Sequence, residues 1–494
     1  MNGEEEAKRL PAFAVVGRVN KGKSSVVSTL AEDETVRIGR EARTTRKVTA
    51  YRWSVDGTAY YEVLDTPGFE RAEAALSWMR ARAGDATERF DAVSAFVGAH
   101  EGGDEFSMEC RLLSPVLEGA AIVYVADATH PWRNHFMAEL EILKWTGRPL
   151  IGLLNRTDGG KFEKAWRAHL RDCCHTVRVF DAHTAGFEER IGLMRVFREL
   201  APEAAKRIDV AIDALNQDWL NREAEAVAEI ARFAVSAVTY SRDEPLSDEE
   251  DLQRRRSEIE ASFHDVLKKM ETRTHHRLAR LYRHERLRVV LDELKTPALE
   301  ADLFTAKVWR NLGLTPRQLA AGGAAGGAAV GVVGDVAAGG LTFGVLTLGG
   351  ALLGGAGGLA AALGRIQSPA RIVEGTLQGG RRVRVGPHRN PLLGSVLVDR
   401  ALLLLLGLQG RPHARRDPLR LEGAARVPEE NSSLLRSLSP PARKELGHSL
   451  VVVHRAARRR RKVTAKEIAA LEDAIAQALE AMRKTEQPEN DDDS

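Results

Sequence analysis

Eight residues near the amino terminus have the types and spacing of a phosphate-binding loop. Residues 17–24 read Gly-Arg-Val-Asn-Lys-Gly-Lys-Ser, a G-x-x-x-x-G-K-[ST] pattern that lies between an apolar run and a helical pattern. Its glycines allow backbone N–H groups to face phosphate oxygens, and the following helix start adds a positive dipole end. The pattern predicts that the phosphates are bound by Gly17, Asn20, Lys21, Gly22, Lys23, Ser24 and Ser25.

Two residues of this loop and three positions outside it could form a triphosphate and Mg²⁺ site. Lys23 is the candidate catalytic cation and the Ser24 hydroxyl a candidate Mg²⁺ ligand. Asp65 ends a strand in Asp-Thr-Pro-Gly, where its carboxylate can hold Mg²⁺ and the Gly68 N–H can bond the γ-phosphate. Thr45, in Arg-Thr-Thr-Arg before an edge strand, is a third candidate metal ligand and is preferred to Thr44; a solvated loop is the alternative.

Two short patterns indicate which base is bound. Asn155-Arg156-Thr157-Asp158 follows a strand, and the Asp158 carboxylate can accept the ring N–H and the exocyclic amine of guanine. Adenine offers no such pair of donors. The aliphatic stem of Arg156 can cover the base, and the Ala182 N–H can reach the guanine oxygen. Together with the loop they predict GTP and GDP as ligands.

Alternating strands and helices must position these residues. Apolar runs separated by helical patterns between residues 11 and 202 are typical of a mostly parallel sheet covered by helices. An Asp56-Gly57 turn predicts an antiparallel hairpin at one edge. The predicted strands are residues 12–17, 47–53, 60–65, 120–127, 149–155 and 176–182.

These motifs together resemble those of the bacterial TrmE–Era–EngA group of small GTPases. The resemblance covers about residues 10–200 and is carried by G-R-V-N-K-G-K-S, T-T-R, D-T-P-G-F and N-R-T-D. It implies an α/β P-loop NTPase fold with a doubly wound, mostly parallel sheet, and slow hydrolysis of GTP with Mg²⁺. Phe69 stands where Ras-like GTPases carry a water-orienting Gln, so another device must orient the water.

The resemblance also bears on Asn20. Relatives that use a potassium ion carry an asparagine at this place, which implies cation-assisted hydrolysis and a nucleotide-dependent self-dimer. An asparagine that only braces the loop is the alternative, so K⁺ dependence is one of two interpretations of Asn20.

The rest of the chain divides by composition. Residues 1–10 form an acidic arm, and residues 203–317 are predicted to form a charged helical domain. Residues 318–364 form a Gly/Ala-rich hydrophobic segment, which is followed by a basic region, 365–484, with a predicted helix at 465–484. Residues 485–494 form an acidic tail that is expected to be disordered. The segment SRDEPLSD (241–248) is predicted to connect two long helices. This whole arrangement is similar to that of bacterial two-part GTPases with a C-terminal domain of unknown function.

Residues 319–364 permit two interpretations. They contain 16 glycines and one charge, Asp335. A hairpin inserted in, or lying on, an anionic membrane is favoured, because glycine costs a soluble helix about 1 kcal/mol per residue. The alternative is a buried soluble hairpin. The run LLLLLGL (402–408) is too short to span and is predicted to be core.

Arginines in the C-terminal half could contact lipid or RNA phosphates, or simply be solvated. Anionic lipid is favoured over RNA, because no aromatic residues are interleaved with them. They are Arg381, Arg382, Arg384, Arg411, Arg415, Arg416 and the run 458–462.

The overall composition excludes several classes of protein. A net charge of +3 excludes a polyelectrolyte, and three cysteines exclude a disulfide framework. Cys173, Cys174 and His175 lack a second ligand pair and are predicted to be structural, and His275-His276 to lie on the surface. We expect a cytoplasmic protein that associates with the inner membrane through residues 319–364 and faces the cytosol. Two functions stay open: a GTPase switch, or a nucleotide-gated module that recruits an unidentified protein or RNA.

Overall fold

The structure is a computed structural model that describes most of the chain. It covers residues 10–18, 22–36, 38, 47–155, 161–245, 252–285, 287, 370–377, 380–388, 391–416, 419, 434–436 and 438–486. The chain divides into two compact units. Unit 1 comprises Met1–Asn221 and Gln409–Asp417, and unit 2 comprises Arg222–Leu408 and Pro418–Ser494.

Unit 1 contains a six-stranded sheet in the order β2-β3-β1-β4-β5-β6. All neighbouring strands are parallel except β2 and β3. Every residue of β4 and β5 is buried, as expected for parallel strands covered on both faces. The predicted fold class is therefore confirmed. The strands are β1 Ala12–Val16, β2 Thr49–Val55, β3 Thr58–Asp65, β4 Ala121–Asp127, β5 Leu150–Asn155 and β6 Thr176–Val179.

The predicted hairpin joins β2 and β3. Val55 pairs with Thr58, and the turn residues Asp56 and Gly57 have φ angles of 47° and 80°. Two positive φ angles give the turn a twist that matches the strands, and Asp-Gly adopts them readily.

Among the described residues, seven helices that lie wholly within unit 1 cover the two faces of this sheet. Ala14 and Val16 of β1 belong to one apolar cluster, while Phe13 and Val15 belong to the other, because successive strand side chains point to opposite faces. The helices are α1 Lys23–Ala31, α2 Ala72–Arg80, α3 Arg89–His100, α4 Ser107–Leu117, α5 His135–Trp145, α6 Glu163–Cys173 and α7 Phe187–Leu200.

Unit 2 is helical with a small sheet. The long amphipathic helices predicted after residue 203 are α8 Ala205–Thr239, which begins in unit 1, and α9 Leu252–Leu281; the predicted C-terminal helix is α12. The run 402–408 lies in the buried helix α10, as predicted for core. The remaining elements are β7 Arg242–Pro245, β8 Ala370–Leu377, β9 Gly380–His388, α10 Leu393–Gln409, the 3-10 helix Leu434–Arg436, α11 Pro440–Arg458 and α12 Ala465–Glu486.

The three-stranded sheet of unit 2 corrects two predictions. Residues 242–245 are not merely a connection but the strand β7, which pairs with β9. In β9, Val383 and Val385 are buried while Arg384 forms a two-point ion pair with Asp243 of β7. Arg382 and Arg384 alternate with the buried Val383 and Val385 along the strand, and Arg384 contributes to the pairing of β9 with β7.

Other predicted surface residues are also engaged within the fold. His275 is buried at 9% exposure, so the surface prediction for it was wrong. Arg411 is buried as well. Within unit 1, Arg416 donates to the Val36 carbonyl at 3.1 Å. Cys174 is buried and the His175 Nδ1 accepts the Leu150 N–H, in agreement with a structural role.

Several predictions lie outside the described residues. They concern the arm up to residue 9, Thr45, Arg156, Asp158, the segment 318–364 and the tail from residue 487. Among the helices that the structure describes, none is both long and apolar enough to cross a membrane.

Candidate functional site

The loop between β1 and α1 is confined by the neighbouring strands. Gly17 has a φ of +139°, and a Cβ there would lie 2.6 Å from the Val125 carbonyl oxygen of β4. Gly22 has a φ of +88°, and a Cβ there would lie 2.2 Å from the Asn155 Nδ2 of β5. Only glycine fits either position, which explains the glycine spacing of the motif. Asn20 and Lys21, between them, lie outside the described residues.

Lys23 is the buried cation of this loop. The residue is 7% exposed, and its Nζ donates to the Arg18 carbonyl at 2.9 Å. Burial lowers its pKa from 10.5 to about 8, and the nearby carboxylates of Asp65 and Glu139 oppose that shift in part. A buried ammonium is costly unless an anion compensates it, so this environment suits a negatively charged ligand.

Ser24 and Asp65 are brought together from two elements. The Ser24 Oγ, in the first turn of α1, donates to the Asp65 Oδ2 at 3.0 Å, at the end of β3. A hydroxyl and a carboxylate oxygen side by side are the hard ligands that Mg²⁺ prefers. The residues present therefore fit the predicted metal site. Ser25, the next residue of α1, is buried.

The backbone after Asp65 is anchored on both sides. The Thr66 hydroxyl donates to the Val15 carbonyl of β1 at 2.8 Å. Gly68 is buried, and Phe69 is 3% exposed within the apolar cluster on that face. The side chain at the position after Gly68 thus belongs to the core.

Asn155, the last residue of β5, contacts Ala182, which lies in the loop after β6. The Asn155 Oδ1 accepts the Ala182 N–H at 3.3 Å, and the Ala182 carbonyl accepts the Thr29 hydroxyl of α1 at 2.9 Å. The Asn155 side chain also occupies the space that a Cβ at position 22 would need. It therefore links the phosphate loop to the predicted base-binding residues.

A polar cluster beside the loop, in which Glu139 and Tyr124 are buried and Arg18 and His135 are partly exposed, was missed by sequence reasoning. The Glu139 Oε2 accepts the Tyr124 hydroxyl at 2.9 Å, and the Glu139 Oε1 lies 3.6 Å from the Arg18 Nε. The Arg18 Nη1 is 2.7 Å from the His135 Nε2. The only sequence signal was an acid on an otherwise apolar face of α5, and nothing local identifies its partners.

Glu139 should make the stability of the empty protein depend on pH. Burial raises its pKa from 4.5 to about 7, against the effects of Tyr124, Arg18 and Lys23. The folded state thus favours the neutral carboxyl, and stability is lost as the pH rises from about 4.5 to about 7. Gln stays neutral, so we expect Glu139→Gln to be more stable than wild type at pH 8. Its free energy of unfolding, measured by denaturant titration, should be higher by up to about 3 kcal/mol.

The gain should shrink towards pH 5, where wild-type Glu139 is itself largely protonated. Glu141→Gln, in the same helix but in a surface pair with Arg80, is the matched control and should show no such trend. A Glu139→Gln protein no more stable than wild type at pH 8 would contradict the inferred cost of burying this charge.

Comparison with known families gives two successive matches. Residues 12–156 match the family described as 50S ribosome-binding GTPase, and residues 167–488 match the family described as Domain of unknown function (DUF3482). The first contains the phosphate loop, the Asp65–Gly68 segment and Asn155. The second covers well over half of the chain.

Curated relatives match in the N-terminal part. GTPase Der of Ectopseudomonas mendocina (strain ymp) is 27% identical over 163 residues, which are 31% of this chain and 28% of that protein. The tRNA modification GTPase MnmE of Halorhodospira halophila (strain DSM 244 / SL1) is 29% identical over 223 residues, 44% of this chain and 41% of that one. The chain thus spans less than half the length of these relatives.

A solved structure of Era in complex with MgGDPNP and nucleotides 1506–1542 of 16S ribosomal RNA is 18% identical. The match covers 35% of this chain and 51% of the Era chain, with a TM-score of 0.25. The family matches confirm the resemblance inferred from the motifs: the chain belongs to the family defined by the domain of unknown function DUF3482, here preceded by a GTPase domain.

Proposed function

We propose that this protein binds GTP with Mg²⁺ and hydrolyses it to GDP and phosphate, acting as a molecular switch. The observation that carries the proposal is the contact of Ser24 with Asp65 next to the buried ammonium of Lys23. A hydroxyl, a carboxylate and a cation at one sheet edge form an arrangement suited to a metal-bound triphosphate.

Each residue has a proposed part in this chemistry. Mg²⁺, when bound, would neutralise charge on the β- and γ-phosphates, held by Ser24, Thr45 and Asp65. Lys23 and the Gly68 N–H would stabilise charge on the γ-phosphate. Phosphate oxygens would accept from the backbone of the loop, and guanine would be held by Asn155, Arg156, Asp158 and the Ala182 N–H.

Release of Ala182 from Asn155 would accompany base binding. The Ala182 N–H is engaged by the Asn155 Oδ1 at 3.3 Å, a long hydrogen bond. A guanine oxygen can replace that acceptor at little cost, which supports the proposed role of Ala182.

A potassium ion is proposed to assist hydrolysis through Asn20. Phe69 is buried in the core, so its position supplies no polar group to orient water. We expect phosphate release from GTP to be slow in sodium buffer and faster in potassium buffer. Equal rates in both salts, over protein concentrations that permit a nucleotide-dependent dimer, would contradict this part of the proposal.

Association with the cytosolic face of an anionic inner membrane is proposed for residues 319–364. The composition of this segment supports the proposal, because its 46 residues include 16 glycines and a single charge. We expect full-length protein to sediment with anionic liposomes and to resist a salt wash, and a 319–364 deletion to remain in the supernatant while still binding GTP. Full-length protein that stays in the supernatant would contradict the proposed membrane association.

A further inference from the structure

A buried glutamate holds the backbone that follows the Asp65–Gly68 segment. The Glu109 Oε1, on α4, accepts the N–H of Glu70 at 2.8 Å and the N–H of Arg71 at 2.6 Å. Glu109 is 1% exposed. Two hydrogen bonds to one buried oxygen fix the backbone closely, because leaving these groups unpaired away from water is costly.

A second set of contacts joins the same segment to Glu105 and Phe106, the two residues that precede α4. The Arg71 guanidinium donates to the Glu105 Oε1 at 2.9 Å and lies 5.3 Å from the centroid of the Phe106 ring. Glu105 and Arg71 are both exposed by half or more of their side chains. This outer pair is screened by water and contributes little, so the buried Glu109 is the main attachment.

Gly68 lies between two anchors. On one side the Thr66 hydroxyl donates to the Val15 carbonyl, next to the phosphate loop. On the other side Phe69 is buried, and Glu109 holds residues 70 and 71. The position of the Gly68 N–H relative to the loop is therefore set by Thr66 and by Glu109 together.

We propose that Glu109 is a positioning residue for GTP hydrolysis, which places the Gly68 N–H against the terminal phosphate. The inference rests on the proposed function. GDP lacks the phosphate that Gly68 would contact, so Glu109 should matter for GTP and not for GDP. A displacement of about 1 Å at a reacting centre costs on the order of 100-fold in rate.

The test compares Glu109→Ala with Glu109→Gln and the surface control Glu105→Gln. We expect Glu109→Ala to lower kcat for GTP by about 10- to 100-fold and to weaken binding of a non-hydrolysable GTP analogue, while Kd for GDP stays within about twofold of wild type. Glu109→Gln retains a side-chain oxygen and should recover most of the rate. Glu105→Gln should match wild type.

Unchanged kcat in Glu109→Ala would overturn the proposal, as would an equal loss of affinity for GDP and the GTP analogue. If the alanine variant does not fold, Glu109→Asp withdraws the carboxylate by one methylene and should show the same GTP-selective loss. Wild-type GTP turnover, measured in parallel, tests the proposed function separately. Wild type that binds neither nucleotide would refute that function. Wild type that hydrolyses GTP while Glu109→Ala is unaffected would refute only the role of Glu109.

Discussion

Lys23→Ala is expected to abolish GTP turnover without unfolding the protein. The ammonium is buried beside the Arg18 carbonyl, close to Asp65, and charge developing on the phosphates in such a water-poor site depends strongly on a fixed cation. Loss of one such group typically costs on the order of 100- to 1,000-fold in rate. Because burial lowers the pKa of Lys23 to about 8, the fold disfavours this charge and gains nothing from it at pH 7.

Phosphate release and circular dichroism of the same samples check this expectation. Lys164→Ala, which removes an exposed lysine of α6, is the matched control and should turn over GTP like wild type. Lys23→Ala that retains wild-type turnover would rule out the proposed use of the loop.

Arg400→Met is expected to have the largest effect on stability in unit 2. The Arg400 Nε and Nη2 donate to the two carboxylate oxygens of Glu271 at 2.6 and 3.2 Å, and both residues are buried. Removing one partner leaves a buried charge uncompensated, which typically costs about 3–5 kcal/mol. His275 lies beside Glu271 but adds no positive charge there at pH 7 in the wild type, because burial, with a smaller effect of Arg400, lowers the pKa of His275 to about 4.

Urea unfolding followed by circular dichroism measures this loss. The double variant Glu271→Leu with Arg400→Met carries no buried charge and should recover much of the stability. Arg256→Met, which breaks a partly exposed pair with Glu260 in the same helix α9, should cost about 1 kcal/mol or less. A single Arg400→Met variant as stable as Arg256→Met would show that the pair is not needed for folding.

The sheet of unit 1 was predictable because each of its strands has a local signal. Strands buried on both faces appear as uninterrupted apolar runs, as in residues 121–126. The meeting of Ser24 with Asp65 also followed from the sequence, since parallel strands bring their carboxyl ends to one edge.

The buried acids and the second sheet were not predictable in the same way. Glu109 is held by backbone groups 38 and 39 residues away, and Glu139 by Tyr124 on another element. Their sequence signature is an ordinary acid in a helix. The arginines of β9 were interpreted as a basic surface, because Asp243, which pairs with Arg384, lies 141 residues earlier in the sequence.

Competition binding tests the central claim, GTP recognition by unit 1, most directly. Labelled GDP bound to the full-length protein with Mg²⁺ is displaced by unlabelled GTP, ATP or xanthosine triphosphate. We expect GTP to compete at least about 100-fold better than ATP, because leaving the guanine-directed carboxylate of Asp158 unpaired is costly, and Asp158→Asn to let xanthosine triphosphate compete. ATP that displaces GDP as well as GTP does would contradict the account.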